Sequence, residues 1–181
     1  LLIIFSLKII IPGLRAMIHP AVSITLFALY LLFRNMMKNR VKRIIKKNIN
    51  DENQILDLRI LPSIVGLLKW HFILELKDKK IVGEVNMIIK EFKIIGVMEN
   101  LDNQLYSAIK DTKVAKFFME FTPIFHINCR KLVKGYEFSF VDLRYYLAKD
   151  FLHHATAVLD ENFSISSSFF HPYHKSRSVE I

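Results

Sequence analysis

The chain has 181 residues, 52% of them hydrophobic and 24% charged, with 26 Lys and Arg against 17 Asp and Glu for a net charge of +9. With 15 Phe, 6 Tyr and only five Gly and five Pro, it is neither a disordered nor a low-complexity polymer. Its single cysteine, Cys129, excludes an intramolecular disulfide framework and a cysteine-based zinc finger.

The charge is unevenly placed. Residues 1–50 hold nine basic residues and no acidic one, so the remaining 131, with 17 of each sign, are neutral. A nucleic-acid module sets its basic patch on the folded domain among aromatics. Here an apolar run is followed at once by cations, the pattern of a membrane span and its flank. The expected partner is therefore membrane lipid, not nucleic acid.

Residues 1–11 are apolar apart from Ser6 and Lys8 and stop at Pro12-Gly13. Eleven helical residues rise only about 16 Å, roughly half a bilayer core, so this stretch reads as part of a membrane segment. With no Met at its start, the expectation is a chain that begins inside a hairpin. Residues 12–47 read as a transmembrane helix with a basic exit. Pro20 suits a first helical turn, Ala21 to Phe33 is uncharged, and Arg34 can snorkel to the interface. Arg34, Lys38, Arg40, Lys42, Arg43, Lys46 and Lys47 follow with no acidic residue among them. By the positive-inside rule the domain behind them is cytoplasmic, and the cluster can attract anionic headgroups. A buried helical hairpin in a soluble protein is the alternative, but such a helix normally shows a polar face.

Residues 48–53 form a polar hinge, and 54–181 the soluble domain. There the period changes to two. Asp57 to Leu61 alternates up to Pro62, Leu68 to Leu76 reads as a strand, Lys77 to Lys80 as a charged turn and Ile81 to Asn86 as the return strand of a hairpin. Met87 to Phe92 extends or follows it. Asn100 or Asp102 caps a helix to about Lys110, and Asp111 a second to about Phe121, where Val114, Phe117, Phe118 and Phe121 recur at helical spacing. Strands return at Ile124 to Arg130, Tyr136 to Tyr145, Leu152 to Leu159 and Phe163 to Phe170. The order predicts an α+β domain with a largely antiparallel sheet and two helices on one face.

Motifs for catalysis are scarce. There is no glycine-rich phosphate loop, Gly-x-Ser-x-Gly elbow or His-Glu-x-x-His helix. Cys129, although beside Arg130 and Lys131, reads as structural. His153 and His154 would face opposite sides of a strand, His171 and His174 lie in the tail, and His71 and His126 each sit alone in strand patterns, so none makes a ligand set. Trp70 reads as core. Asp142 and Arg144 share a face with Phe138 and Phe140 and must be paired or at the sheet's rim, as a structural ion pair or a partner contact.

Several segments resemble a known family in order along the chain: the span exit Tyr30 to Arg34, the basic helix Arg40 to Lys47, Leu61-Pro62, and the helix end Phe117 to Pro123. Tyr136 to Tyr145, with its Phe-Val-Asp-Leu-Arg-Tyr core, and Val158 to Ser168 complete the match. The chain is similar to the C-terminal half of bacterial membrane-bound metal-dependent hydrolases, the LexA-binding, inner-membrane-associated proteins of the YdjM/YfhP kind. That resemblance implies an inner-membrane location. It also implies a divalent metal, zinc foremost, held in the full-length protein by an N-terminal His-Arg-Gly-x-Thr-His stretch that this sequence lacks. The expectation is a C-terminal portion without catalytic or metal residues, with a non-enzymatic membrane-tethered interaction or sensing domain as the alternative.

Overall fold

The computed structural model describes residues 12–49, 55–63, 68–147, 150–172 and 179–180, with side chains from residue 21 onward. The expected partial span at 1–11, most of the hinge at 48–53, and His174 lie outside the described residues. The chain divides into two compact units at Arg43/Ile44.

The first unit is the helix α1 (Pro12–Asn48), which runs on into the start of the second. Its stretch Ala21–Asn48 is long and apolar enough to cross a membrane. Residues 21–36 are exposed on every face, including Ile24, Leu26, Phe27 and Leu32. Thr25 turns its hydroxyl inward, donating to the Ala21 carbonyl at 2.8 Å, so this polar group needs no outside partner. Lys46 and Lys47 occupy the last turn, where cations oppose the helix dipole. The Asn48 amide donates to the Ile44 carbonyl at 2.8 Å, satisfying one of the acceptors a helix end leaves open.

In the second unit β1 (Ile55–Pro62), β2 (Lys69–Leu76), β3 (Lys79–Asn86) and β4 (Glu91–Glu99) form an antiparallel meander in sequence order. Phe72 stands opposite Gly83 and stacks on Phe92, with ring centroids 5.4 Å apart. Only a missing side chain lets that ring lie across β3: a Cβ on Gly83 would come within 2.4 Å of the Phe72 Cζ.

Two helices follow. Asp102 caps α2 (Asn103–Ile109) by accepting from the Gln104 amide. Thr112 caps α3 (Lys113–Phe121) through the Ala115 amide. Of the two caps offered for the first helix, Asp102 serves. For the second it is Thr112, one residue beyond Asp111; its side chain reaches the amide three residues on, as a capping hydroxyl must.

A second antiparallel sheet has the order β11 (Val179–Glu180), β10 (Ile165–His171), β9 (His154–Leu159), β6 (Tyr136–Asp142), β5 (Phe125–Lys131). A small hairpin, β7 (Tyr146–Leu147) and β8 (Asp150–Phe151), links β6 to β9. Gly135, at φ +95°, turns the β5–β6 hairpin where a Cβ would meet the Leu159 carbonyl oxygen.

Alternation along the strands builds two cores. Phe138 and Phe140 of β6, Ile127, and Ala155, Ala157 and Leu159 of β9 pack beneath Ile109, Val114 and Phe118 of the helices. On the opposite face Val141, Leu143 and Phe151 meet Ile73 and Val82 of the first sheet. The result is three layers, meander, second sheet and helix pair, each joined by apolar side chains. The α+β class and antiparallel pairing follow the sequence, with the strands divided between two sheets. The strand expected from Tyr136 to Tyr145 stops at Asp142, because the Asp142 carboxylate accepts the Arg144 amide at 3.0 Å and closes a turn. Of the Met87 to Phe92 stretch expected to extend or follow the hairpin, Met87 to Lys90 form a turn, and β4 runs from Glu91 to Glu99.

Candidate functional site

Two polar clusters lie within the second unit. The first is at the end of β6. The Asp142 side chain is fully buried and pairs with Arg144, which is 24% exposed. Arg144 Nη2 donates to Oδ2 at 2.7 Å, and Nε lies 3.0 and 3.1 Å from Oδ1 and Oδ2. The guanidinium also sits 5.1 Å from the Tyr145 ring centroid and 5.8 Å from that of Phe121. The carboxylate bonds hold the Arg144 pKa above its ordinary value. His153 meets Phe121 and Tyr145 edge-on and bonds the Pro172 carbonyl, so the pair is walled by rings from α3, the turn after β6 and the residue just before β9. Arg144 Nη2 also lies 3.4 Å from the Phe121 carbonyl, so the pair ties a strand end to a helix end.

The second cluster surrounds a cleft of about 310 Å³ at the open edge strand β5. Glu75, Lys80 and Asn100 come from the meander side. Leu101 and Tyr106 approach from α2 and the loop before it, and Phe125, His126 and Ile127 from β5. Lys80 Nζ donates to the Phe125 carbonyl at 3.1 Å and lies 3.3 Å from Glu75 Oε1. His126 is 4% exposed, and its Nε2 donates to Asn128 Oδ1 at 3.1 Å. Burial, assisted by the nearby Lys80 charge, pushes its pKa down to about 4, so the ring is neutral at ordinary pH. Nothing in the residue pattern announces this cleft. Lys80 and Phe125 are 45 positions apart, and Lys77 to Lys80 read as a turn.

His71 is buried, donates from Nε2 to the Leu143 carbonyl at 2.9 Å, and lies parallel to Tyr146 at 6.0 Å. Burial lowers its pKa. Its Nδ1 and the Nε1 of the buried Trp70 meet no partner among the described residues. His154 Nε2 bonds the Phe151 carbonyl, and His171 Nε2 the Thr156 hydroxyl. Cys129 is half-buried against the helix-side core, and burial raises its pKa. Among the described residues no three His, Cys, Asp or Glu side chains gather to hold a metal ion. The described residues thus supply no donor set of the kind a catalytic divalent ion needs. Arg34, Lys38, Arg40, Lys42, Arg43, Lys46 and Lys47 are all exposed along α1.

The helices and second sheet, which carry the Asp142–Arg144 pair, coincide with a known domain. Residues 104–180 match the family model of the YfhP C-terminal alpha/beta plait domain. The match supports a YfhP-like C-terminal family for that stretch, and covers α2 from its second residue, α3 and the whole second sheet while leaving out α1 and the meander. Neither the curated proteins nor the solved structures include a match to the chain.

Proposed function

We propose that this chain is the membrane-tethered C-terminal part of a YfhP-like protein of the bacterial inner membrane. On this reading residues 54–181 form a cytoplasmic domain that binds and does not itself hydrolyse. Any metal-dependent hydrolysis is assigned to residues outside 54–181. The reading rests on α1, whose residues 21–33 turn apolar side chains outward on every face and are followed by seven exposed cations from Arg34 to Lys47. In water such a helix would leave a large apolar surface unburied. In lipid the same surface is matched and every backbone group is satisfied within the helix. The cations then face headgroups, each contributing about 1 kcal/mol against an anionic leaflet.

Topology is tested with a reporter fused after Ile181: activity characteristic of the cytoplasm is expected, and a periplasmic signal overturns the orientation. The division of labour is tested by metal analysis of the purified 181-residue chain. Substoichiometric zinc is expected, and one tightly held ion per chain overturns the assignment of hydrolysis to residues outside it.

A further inference from the structure

The cleft beside β5 serves neither the membrane helix nor the Asp142–Arg144 pair, and it combines opposite charges with an apolar wall. We propose that it binds a small zwitterion, an amino acid with an apolar side chain, whose carboxylate rests on Lys80 and whose ammonium rests on Glu75.

At about 310 Å³ the open cleft lies at the small end of sites that hold an organic ligand. Its ion pair is positioned from two directions. Lys80 belongs to β3, yet its ammonium is held at 3.1 Å by the Phe125 carbonyl of the other sheet. Of three ammonium protons, one meets that carbonyl and one faces Glu75, leaving the third for a ligand carboxylate. Glu75 Oε1 faces Lys80 at 3.3 Å, and a carboxylate has about four acceptor sites, so an incoming ammonium can share it. The two side chains are 20% and 38% exposed. That is open enough for a ligand to enter and dry enough that charge pairing exceeds its strength in bulk water.

Charge balance then selects the ligand. His126 on the wall is neutral, so Lys80 and Glu75 are the charged lining groups and cancel. A simple anion would be repelled by Glu75 and a simple cation by Lys80. A molecule carrying both charges a few bonds apart meets both. Leu101, Phe125 and Ile127 supply an apolar surface for the rest of it.

The test uses the full chain in detergent, titrated with leucine and phenylalanine and, in parallel, with 4-methylpentanoate and 3-methylbutylamine, which each lack one of leucine's charges. Binding is followed by calorimetry and by the shift in thermal midpoint. Saturable one-site binding of an amino acid is expected below about 10 mM, with both single-charge analogues at least about tenfold weaker. Glu75→Gln and Lys80→Met should each weaken binding by about tenfold or more. Because Lys80→Met also removes the bond to Phe125, Leu101→Trp serves as a second variant that fills the cleft without touching the ion pair. It should abolish binding while leaving the melting transition cooperative. The proposal is overturned if neither amino acid binds in that range, if a single-charge analogue binds as tightly, or if Glu75→Gln or folded Leu101→Trp binds like the parent chain.

Discussion

The ring of Phe72 covers Gly83 on the neighbouring strand so closely that a Cβ at position 83 would stand 2.4 Å from its Cζ and 2.5 Å from the Lys93 carbonyl oxygen. Phe72 is fully buried and stacked on Phe92, and the carbonyl belongs to backbone, so neither neighbour can yield freely. Gly83→Ala is expected to destabilise the domain by about 2 kcal/mol, the range of overpacked cores. Equilibrium denaturation measures it, and an unchanged midpoint would show that the ring can move aside.

Breaking the Asp142–Arg144 pair from either end should be expensive, because its carboxylate has no solvent exposure. Arg144→Ala leaves that charge without its main partner and should cost about 3 kcal/mol. Arg144→Lys keeps the charge but loses the two-nitrogen grip and the ring contacts, so an intermediate loss is expected. Equal stability of the lysine and parent chains in denaturant titration would argue against the forked geometry.

His126 makes stability depend on pH. Its folded pKa of about 4 lies below the ordinary value of 6.5, so below pH about 6.5 the unfolded chain takes up a proton that the folded chain refuses. Its contribution is intact above that pH, declines as pH falls towards 4, and levels off below. The full loss is about 3 kcal/mol for this side chain. His126→Gln should show a flatter stability profile between pH 7 and 4, and parallel profiles for the two proteins would exclude the effect.

Cys129 should be a slow thiol. Burial raises its pKa and half covers it, so less thiolate forms at neutral pH than in an exposed cysteine. Maleimide labelling of the folded chain at pH 7.5 is expected to run at least about tenfold slower than in denaturant. Equal rates would place the sulfur at the surface.

What could be read from sequence was local. The uncharged run from Ala21 to Phe33 and the phenylalanines of α3 recur at spacings that one helix imposes. The hairpin of β2 and β3 showed through the apolar and aromatic run Trp70 to Leu74 and the charged turn behind it, and that run is buried without a break. Strand β4 escaped because Glu91-Phe-Lys-Ile-Ile-Gly-Val-Met-Glu99 is an edge strand with no buried residue and no clean alternation. Asp142 and Arg144 stood out through their two-residue spacing. Their enclosure by Phe121 and His153 did not, since those residues come from other elements. The cleft was invisible for the same reason, being assembled by residues from 75 to 127 that meet only when the meander lies on the second sheet.

The meander pairs each strand solely with its neighbours in sequence, whereas β6 must wait for β9. During synthesis, residues 55–99 can therefore close their ladders as they leave the ribosome, ahead of the rest. Their inner face, with Ile73 and Val82, stays bare until Val141 and Leu143 emerge. Nascent chains stalled between these two points would carry a formed but sticky sheet, the stage at which a chaperone has most to shield.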